Sequence, residues 1–426
     1  MRLRPGYALA AVIAAVSVIA AGGATAAGPT GVQPPSQDAF YRYTGGTPLS
    51  RIAPGTPLRE RSVTLGAGTS GTPLPAEQIL YRTTDATGHA VASVTTVLLP
   101  ATGTSAPKVV AYLSFYDALG SQCDPSYTLR GGDPGSANQQ NADLEQVLIN
   151  ALNRDGYIVT VPDFEDETLD YVSGTESGMS SLDGIRATLA VLQLARATPV
   201  ALVGYSGGSI ASDWASELAP RYAPGVNLVG VAEGGVPVDL AHNLAYINGS
   251  PSWSDVIPAA MIGIARSYHL DLTPYLSAYG RRIVAAESHE CISQFLGAYP
   301  NLTVAKLMKP RYADVTHVPV FKRLFNALIM GSVPGHPTEP LLMVAGNADG
   351  TGDGVMVEKD EQELAYEYCH RSVPVDFVEL KQLNHDDAGG AFVPQAFAFL
   401  AARFAGVPAV SSCALIQPGN SLAPIK

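Results

Sequence analysis

Six short apolar runs set the limits on what this chain can fold into: "KVVAYLSF", "YIVTVPDF", "PVALVGYS", "NLVGVAEGG", "PLLMVAGN" and "VDFVELKQ". Each is eight or nine residues, most of them rich in β-branched and aliphatic side chains. Most are followed by a helical or turn-rich stretch. Strands buried on both faces read this way, and helices between them imply a parallel sheet. With 426 residues and 46% hydrophobic composition, one large α/β domain carrying an insertion fits better than two equal domains.

One of these runs ends in a chemical group. Gly204-Tyr205-Ser206-Gly207-Gly208 is a G-x-S-x-G pattern. It lies between the strand "PVALVGYS" and the helical stretch "GGSIASDWASELAPRYAP", which Pro220 is expected to end or disrupt. Such a strand-to-helix elbow lifts a serine hydroxyl above the sheet. Before it, Met179 to Arg196 carries Leu182, Ile185, Leu189, Leu192 and Leu194 at roughly helical spacing. In a chain with 42 glycines the motif alone also fits a turn serine, so its partners matter.

In a doubly wound sheet functional groups collect at the carboxyl ends of the strands. Serine, acid and histidine then follow one another along the chain. Asp349 stands just beyond "PLLMVAGN" and His385 just beyond "VDFVELKQ". A serine hydroxyl needs a neutral imidazole to take its proton, and the imidazole needs a carboxylate to hold its tautomer. Ser206, His385 and Asp349 are therefore the expected nucleophile, base and acid. Asp349 is favoured because it is nearest the strand end, with Asp353 in the same loop and Glu233 after the strand following Ser206 as alternatives. His385 alternatively caps the final helix, at whose start Asp386 and Asp387 suit the dipole. The Gly207 N–H points at the developing oxyanion, and a second donor is expected from the loop "YLSFYDALGSQC".

Two metal motifs are superficial. Asp349 to Asp360 spaces its acids like a calcium loop, but a strand precedes it where an EF-hand has a helix. His289-Glu290 opens like H-E-x-x-H, yet Ser293 occupies the second histidine position. No cofactor or metal is expected for the reaction.

The remaining chain is organised around this core. Arg2 and Arg4, an apolar stretch from about Ala8 to Ala21 and the small-residue site Ala24-Thr25-Ala26 read as a secretory signal peptide over 1–26. Its removal takes the formal charge from −12 to −14 through loss of the two arginines. An acidic exported protein is a poor partner for nucleic acid or anionic membrane and suits an uncharged substrate. No transmembrane anchor is expected, and a monomer is assumed. Residues 27–74 form a Pro-, Gly- and Ser-rich extended arm, and 75–235 hold the first part of the core. That part opens with a hairpin turning at Asp85-Ala86-Thr87-Gly88. Residues 236–335 form a helical cap and 336–426 complete the core. Four cysteines in an exported chain favour two disulfides with three possible pairings. Cys123 with Cys291 and Cys369 with Cys413 is preferred, since the latter bond staples the tail beside the last helices.

Together, "PVALVGYSGGSIASDWASELAPRYAP", "NLVGVAEGGVPVDL", "FYDALGSQCDPSY", "SLDGIRA" and "GNADGTGDGV…NHDDAG" resemble the secretory lipase family of α/β-hydrolases, the group that includes yeast lipase A. The resemblance runs from about Gln78 to Gly406. It implies an α/β-hydrolase core with an inserted helical cap, a Ser-Asp-His triad and hydrolysis of acylglycerols or related esters. By position it places Ser206, Asp349 and His385 in the triad, and Asp117 and Gly207 as main-chain donors to the oxyanion. Asp117 is the unusual element, because a carboxylate beside an oxyanion repels it unless protonated or turned away. The acid loop is longer than the acid-x-x-Val pattern expected of yeast members, which leaves Asp349 and Asp353 both open.

The function expected from sequence is thus a secreted serine ester hydrolase, a triacylglycerol lipase first. A short-chain esterase or acyltransferase shares the same acyl-enzyme, and a non-catalytic binding protein on the same scaffold is the rival from another class. The cap's "AAMIGIA" and "LFNALIMG" are expected either to line an acyl tunnel or to form cap core.

Overall fold

The computed structural model describes residues 31–66, 73–101, 103 and 106–426. The expected signal peptide therefore lies outside the described residues. Nine strands form a single sheet: β1 (Pro57–Leu65), β2 (Leu74–Thr84), β3 (Ala90–Leu98), β4 (Val109–Leu113), β5 (Ile158–Pro162), β6 (Pro199–Tyr205), β7 (Asn227–Gly234), β8 (Leu341–Asn347) and β9 (Val375–Lys381). Their spatial order is β1-β2-β3-β5-β4-β6-β7-β8-β9. The pairings β1–β2, β2–β3 and β3–β5 are antiparallel, and the rest are parallel.

The six apolar runs are the six parallel strands; the inner ones are covered on both faces, while the edge strand β9 is only half-buried. Along β4, Val109, Ala111 and Leu113 enter one core while Val110 and Tyr112 enter the other; Leu341 and Met343 alternate with Leu342 and Val344 in the same way along β8. The helices Gly174–Val191, Gly207–Tyr222 and Glu358–His370 cover the first face with Leu182, Ile185, Trp214 and Leu364. Ala137–Arg154 and His385–Phe404 cover the other with Ile149, Leu152, Phe392 and Leu400. A strand covered on both faces favours apolar side chains at successive positions, which is why the inner runs are nearly continuous.

Several expectations shift at the boundaries. The helix read from Met179 to Arg196 begins at Gly174 and ends at Val191. Pro220 does not end the elbow helix; it sits in the last turn, and the helix continues to Tyr222. The arm expected as an extended segment contains β1, a nine-residue edge strand paired with β2. Its half-exposed "LRERSV" hides strand periodicity behind charges, which also discourage edge-to-edge pairing with other chains.

Between β7 and β8, in the segment read from sequence as a cap, the chain forms helices over Leu240–Ile247, Val256–Ser267, Ala278–Glu287, Ile292–Phe295, Val304–Leu307 and Pro319–Ala327. The two preferred disulfides are both formed. Cys123–Cys291 ties the loop after β4 to the cap, and Cys369–Cys413 ties the helix Glu358–His370 to the C-terminal tail. Loops of 168 and 44 residues correspond to about 4–5 kcal/mol each in a chain-entropy account.

Candidate active site

Ser206 has φ 55° and ψ −124°, a conformation costly for a residue with a side chain. The neighbouring glycines make that turn possible. A Cβ on Gly204 would strike the Gly208 carbonyl, and one on Gly208 would strike the Leu113 carbonyl at the end of β4. The Ser206 N–H donates to the Gly234 carbonyl at 3.0 Å, anchoring the elbow to β7.

Ser206 Oγ lies 2.8 Å from His385 Nε2, and His385 Nδ1 lies 2.6 Å from Asp353 Oδ2. The carboxylate at the histidine is thus Asp353, where sequence reasoning favoured Asp349. The loop folds back on itself after β8: the Ala348 N–H donates to the Gly352 carbonyl at 2.6 Å, and Gly352 bridges to Val357. This reversal carries Asp353 inward against Gly346, whose missing side chain leaves the space for it. Asp349 points outward and shapes the turn, its Oδ1 accepting from the N–H groups of Thr351 and Gly352. Slight burial raises the Asp349 pKa, but these donors and the Tyr246 hydroxyl outweigh that and leave it lowered. The third candidate, Glu233, is buried elsewhere, accepting from Ser212 Oγ at 3.2 Å.

Asp353 is locked in place. Its Oδ1 accepts from the N–H groups of Val355 and Met356 at 2.9 and 2.7 Å, and its carbonyl accepts from the His385 N–H at 2.9 Å. His385 is the first residue of the last helix, with Asn384 as the cap and Asp386 and Asp387 in the first turn. Burial works to lower its pKa, but the Asp353 charge and hydrogen bond overcome this and leave it raised. Tyr205 donates to the His385 carbonyl at 2.6 Å, and the Trp253 edge meets the imidazole ring.

Opposite the histidine, the loop after β4 is held by two buried carboxylates. Glu145 accepts from Phe115 N–H and Ser114 Oγ, while Glu165 accepts from Ala118 N–H. Between them Asp117 takes φ 38°, and no acceptor among the described residues engages its N–H or that of Gly207. A helix start leaves its first N–H groups free, so Gly207 needs no special device. The Asp117 carboxyl is packed against Gly207 with Oδ1 unpaired. Burial first, then Glu145, pushes its pKa up to about 7, against the pull of His385. Its charged form is therefore disfavoured at this position.

An apolar cavity opens at Ser206 and Gly207 and runs beneath the cap, lined by Ile257, Ala260, Met261 and Ile264 from one cap helix and Phe321, Leu324 and Phe325 from another. Sequence reasoning missed Glu145, Glu165, Tyr246, Tyr205 and Trp253. Of these only Tyr205, inside the elbow motif, carried a positional signal.

The sequence profile described as secretory lipase matches residues 134–412. A Malassezia globosa protein named secreted triacylglycerol lipase is 32% identical over 81% of this chain and 75% of its own length. A Mycobacterium tuberculosis protein named "probable inactive lipase" is 31% identical over 88% and 83%. Among solved structures, Candida antarctica lipase A in its closed state superposes with a TM-score of 0.80 at 26% identity, covering 91% of this chain and 90% of that one.

Proposed function

Since the chain belongs to the secretory lipase family, we propose that it is an exported serine ester hydrolase acting through an acyl-enzyme on Ser206, with triacylglycerols as its substrates. One observation carries this reading: the continuous hydrogen-bonded series from Ser206 Oγ through His385 to Asp353. In its neutral form His385 takes the serine proton as Oγ attacks the ester carbonyl, and Asp353 stabilises the imidazolium that forms. The Gly207 and Asp117 N–H groups donate to the oxyanion. His385 then protonates the departing alcohol, and later activates the water that releases the acid. The described residues contain no helix long and apolar enough to cross a membrane.

The substrate side rests on the cavity, whose apolar lining matches an alkyl chain attached to the carbon that Ser206 attacks. A relative named inactive makes the test direct. A fluorophosphonate should label the wild-type chain stoichiometrically at Ser206 and leave folded Ser206→Ala unlabelled, with loss of ester hydrolysis. Absence of labelling in the wild type would indicate a binding protein on a hydrolase scaffold.

A further inference from the structure

We propose that Asp85, His89 and His269 form a site for a divalent transition-metal cation of the zinc class, clamping the cap to the core. One potential ligand atom from each of the three lies within 4.8 Å of the other two. Asp85 and His89 flank the β2–β3 turn. His269 follows the cap helix Val256–Ser267, which lines the cavity with Ile257, Met261 and Ile264. Because β2 runs parallel to β5, its carboxyl end lies on the same edge as the active site and meets the cap there.

The turn is rigid before any ion arrives. Asp85 Oδ1 accepts from the N–H groups of Thr87 and His89 at 2.8 Å each and from Thr87 Oγ1 at 2.9 Å. The Ala86 N–H is held by Glu176 at 3.1 Å. This leaves Asp85 Oδ2 free of the turn, facing His89 Nδ1 at 3.4 Å. His89 Nδ1 also meets Thr87 Oγ1 at 2.8 Å, and its other ring nitrogen has no partner among the described residues. The two imidazoles lie 6.3 Å apart between centroids, tilted at 60°, rather than stacked. His269 takes φ 50° just past the helix end, where glycine is the ordinary occupant, yet its side chain is exposed and contributes nothing to the core.

Two imidazole nitrogens and one carboxylate oxygen are a borderline-soft donor set that suits zinc or copper and leaves a fourth position for water. Bringing three atoms from within 4.8 Å to about 2.0–2.1 Å from one ion requires only side-chain rotation, which two exposed histidines permit. The ion would join segments 180 residues apart in sequence, at the end of a cap helix that faces the acyl cavity.

Calorimetric titration of the full chain with zinc chloride is expected to show saturable one-to-one binding, weakened at least about tenfold in His89→Ala and again in His269→Ala. At zinc about a hundred times Kd the wild-type Tm should rise by roughly 3 °C and that of His269→Ala should not. Without zinc the variants should melt like wild type, since both side chains are exposed. Zinc should also slow amide exchange at both 85–89 and 268–272. Binding that survives in the His89→Ala/His269→Ala double variant, equal binding of calcium, or no saturable binding below about 1 mM would overturn the site. Protection confined to one of the two segments would overturn the clamp.

Discussion

Asp349 and Asp353 show how four residues of spacing separate two roles. Asp353 Oδ2 reaches the histidine, while Asp349 holds N–H groups of the turn that delivers it. Asp353→Asn is expected to lower kcat/KM about 10³–10⁴-fold, since an amide supports the wrong imidazole tautomer. Asp349→Asn removes one exposed hydrogen-bonding role of about 1 kcal/mol and should cost less than about tenfold. Steady-state hydrolysis of a soluble p-nitrophenyl ester by both variants checks this, and the reverse ranking would return the role to Asp349.

At the scale of elements, the cap helices Val256–Ser267 and Pro319–Ala327 do two things at once. Their inner faces line the cavity, and the first of them ends at the loop carrying His269. Tyr246, on the neighbouring helix Leu240–Ile247, donates to Asp349 Oδ2 at 2.9 Å and accepts from Gly354 N–H, so the cap also braces the acid loop. Each buried methylene contributes about 0.8 kcal/mol, close to fourfold in kcat/KM when realised in the transition state. Activity should therefore climb with acyl length until the cavity is full. Met261→Trp should move the optimum to shorter esters and Met261→Ala to longer ones. A p-nitrophenyl ester series from acetate to palmitate reads this directly, and an optimum that neither variant moves would remove the cavity from substrate binding.

Over the whole molecule, the interior holds many carboxyls whose pKa burial raises. Burial pushes Glu233 up to about 8 and Glu145 and Asp163 up to about 7, and it raises Asp213, Glu217 and Glu361 well above the carboxylate range. Tyr368 bridges Asp213 and Glu217, donating within 2.9 and 2.6 Å of their oxygens. A carboxyl whose folded pKa is raised binds more protons folded than unfolded, so its contribution is full below about pH 4 and fades as pH rises through the folded value. The lowered carboxylates Asp38 and Asp85 act in the opposite sense, only near and below pH 4. Tm is thus expected to fall by more than about 5 °C between pH 5 and pH 9. His385, also raised, adds to that trend in stability, while activity rises as it loses its proton. Calorimetric scans at pH 5, 7 and 9 test the sign, and a higher Tm at pH 9 would refute it.

The six parallel strands, the elbow serine and the histidine were legible because each depends on neighbours in sequence: an unbroken apolar run, glycines flanking one serine, a histidine just past a strand. The run of helices between β7 and β8 was legible as a long interruption of the strand pattern, and the preferred cysteine pairing is the one formed. β1 was obscured by Arg59, Glu60 and Arg61, whose charges are tolerable on an edge strand. What only the tertiary structure decided was whatever depends on how a loop returns. The turn at Gly350 to Gly352 sets Asp353 rather than Asp349 against the histidine, and chain closure brings Glu145 and Glu165 to the loop after β4. The same closure sets His269 of the cap beside Asp85 and His89. Local pattern records the conformation of a segment, whereas these pairings are set by where segments end up when the core closes around them.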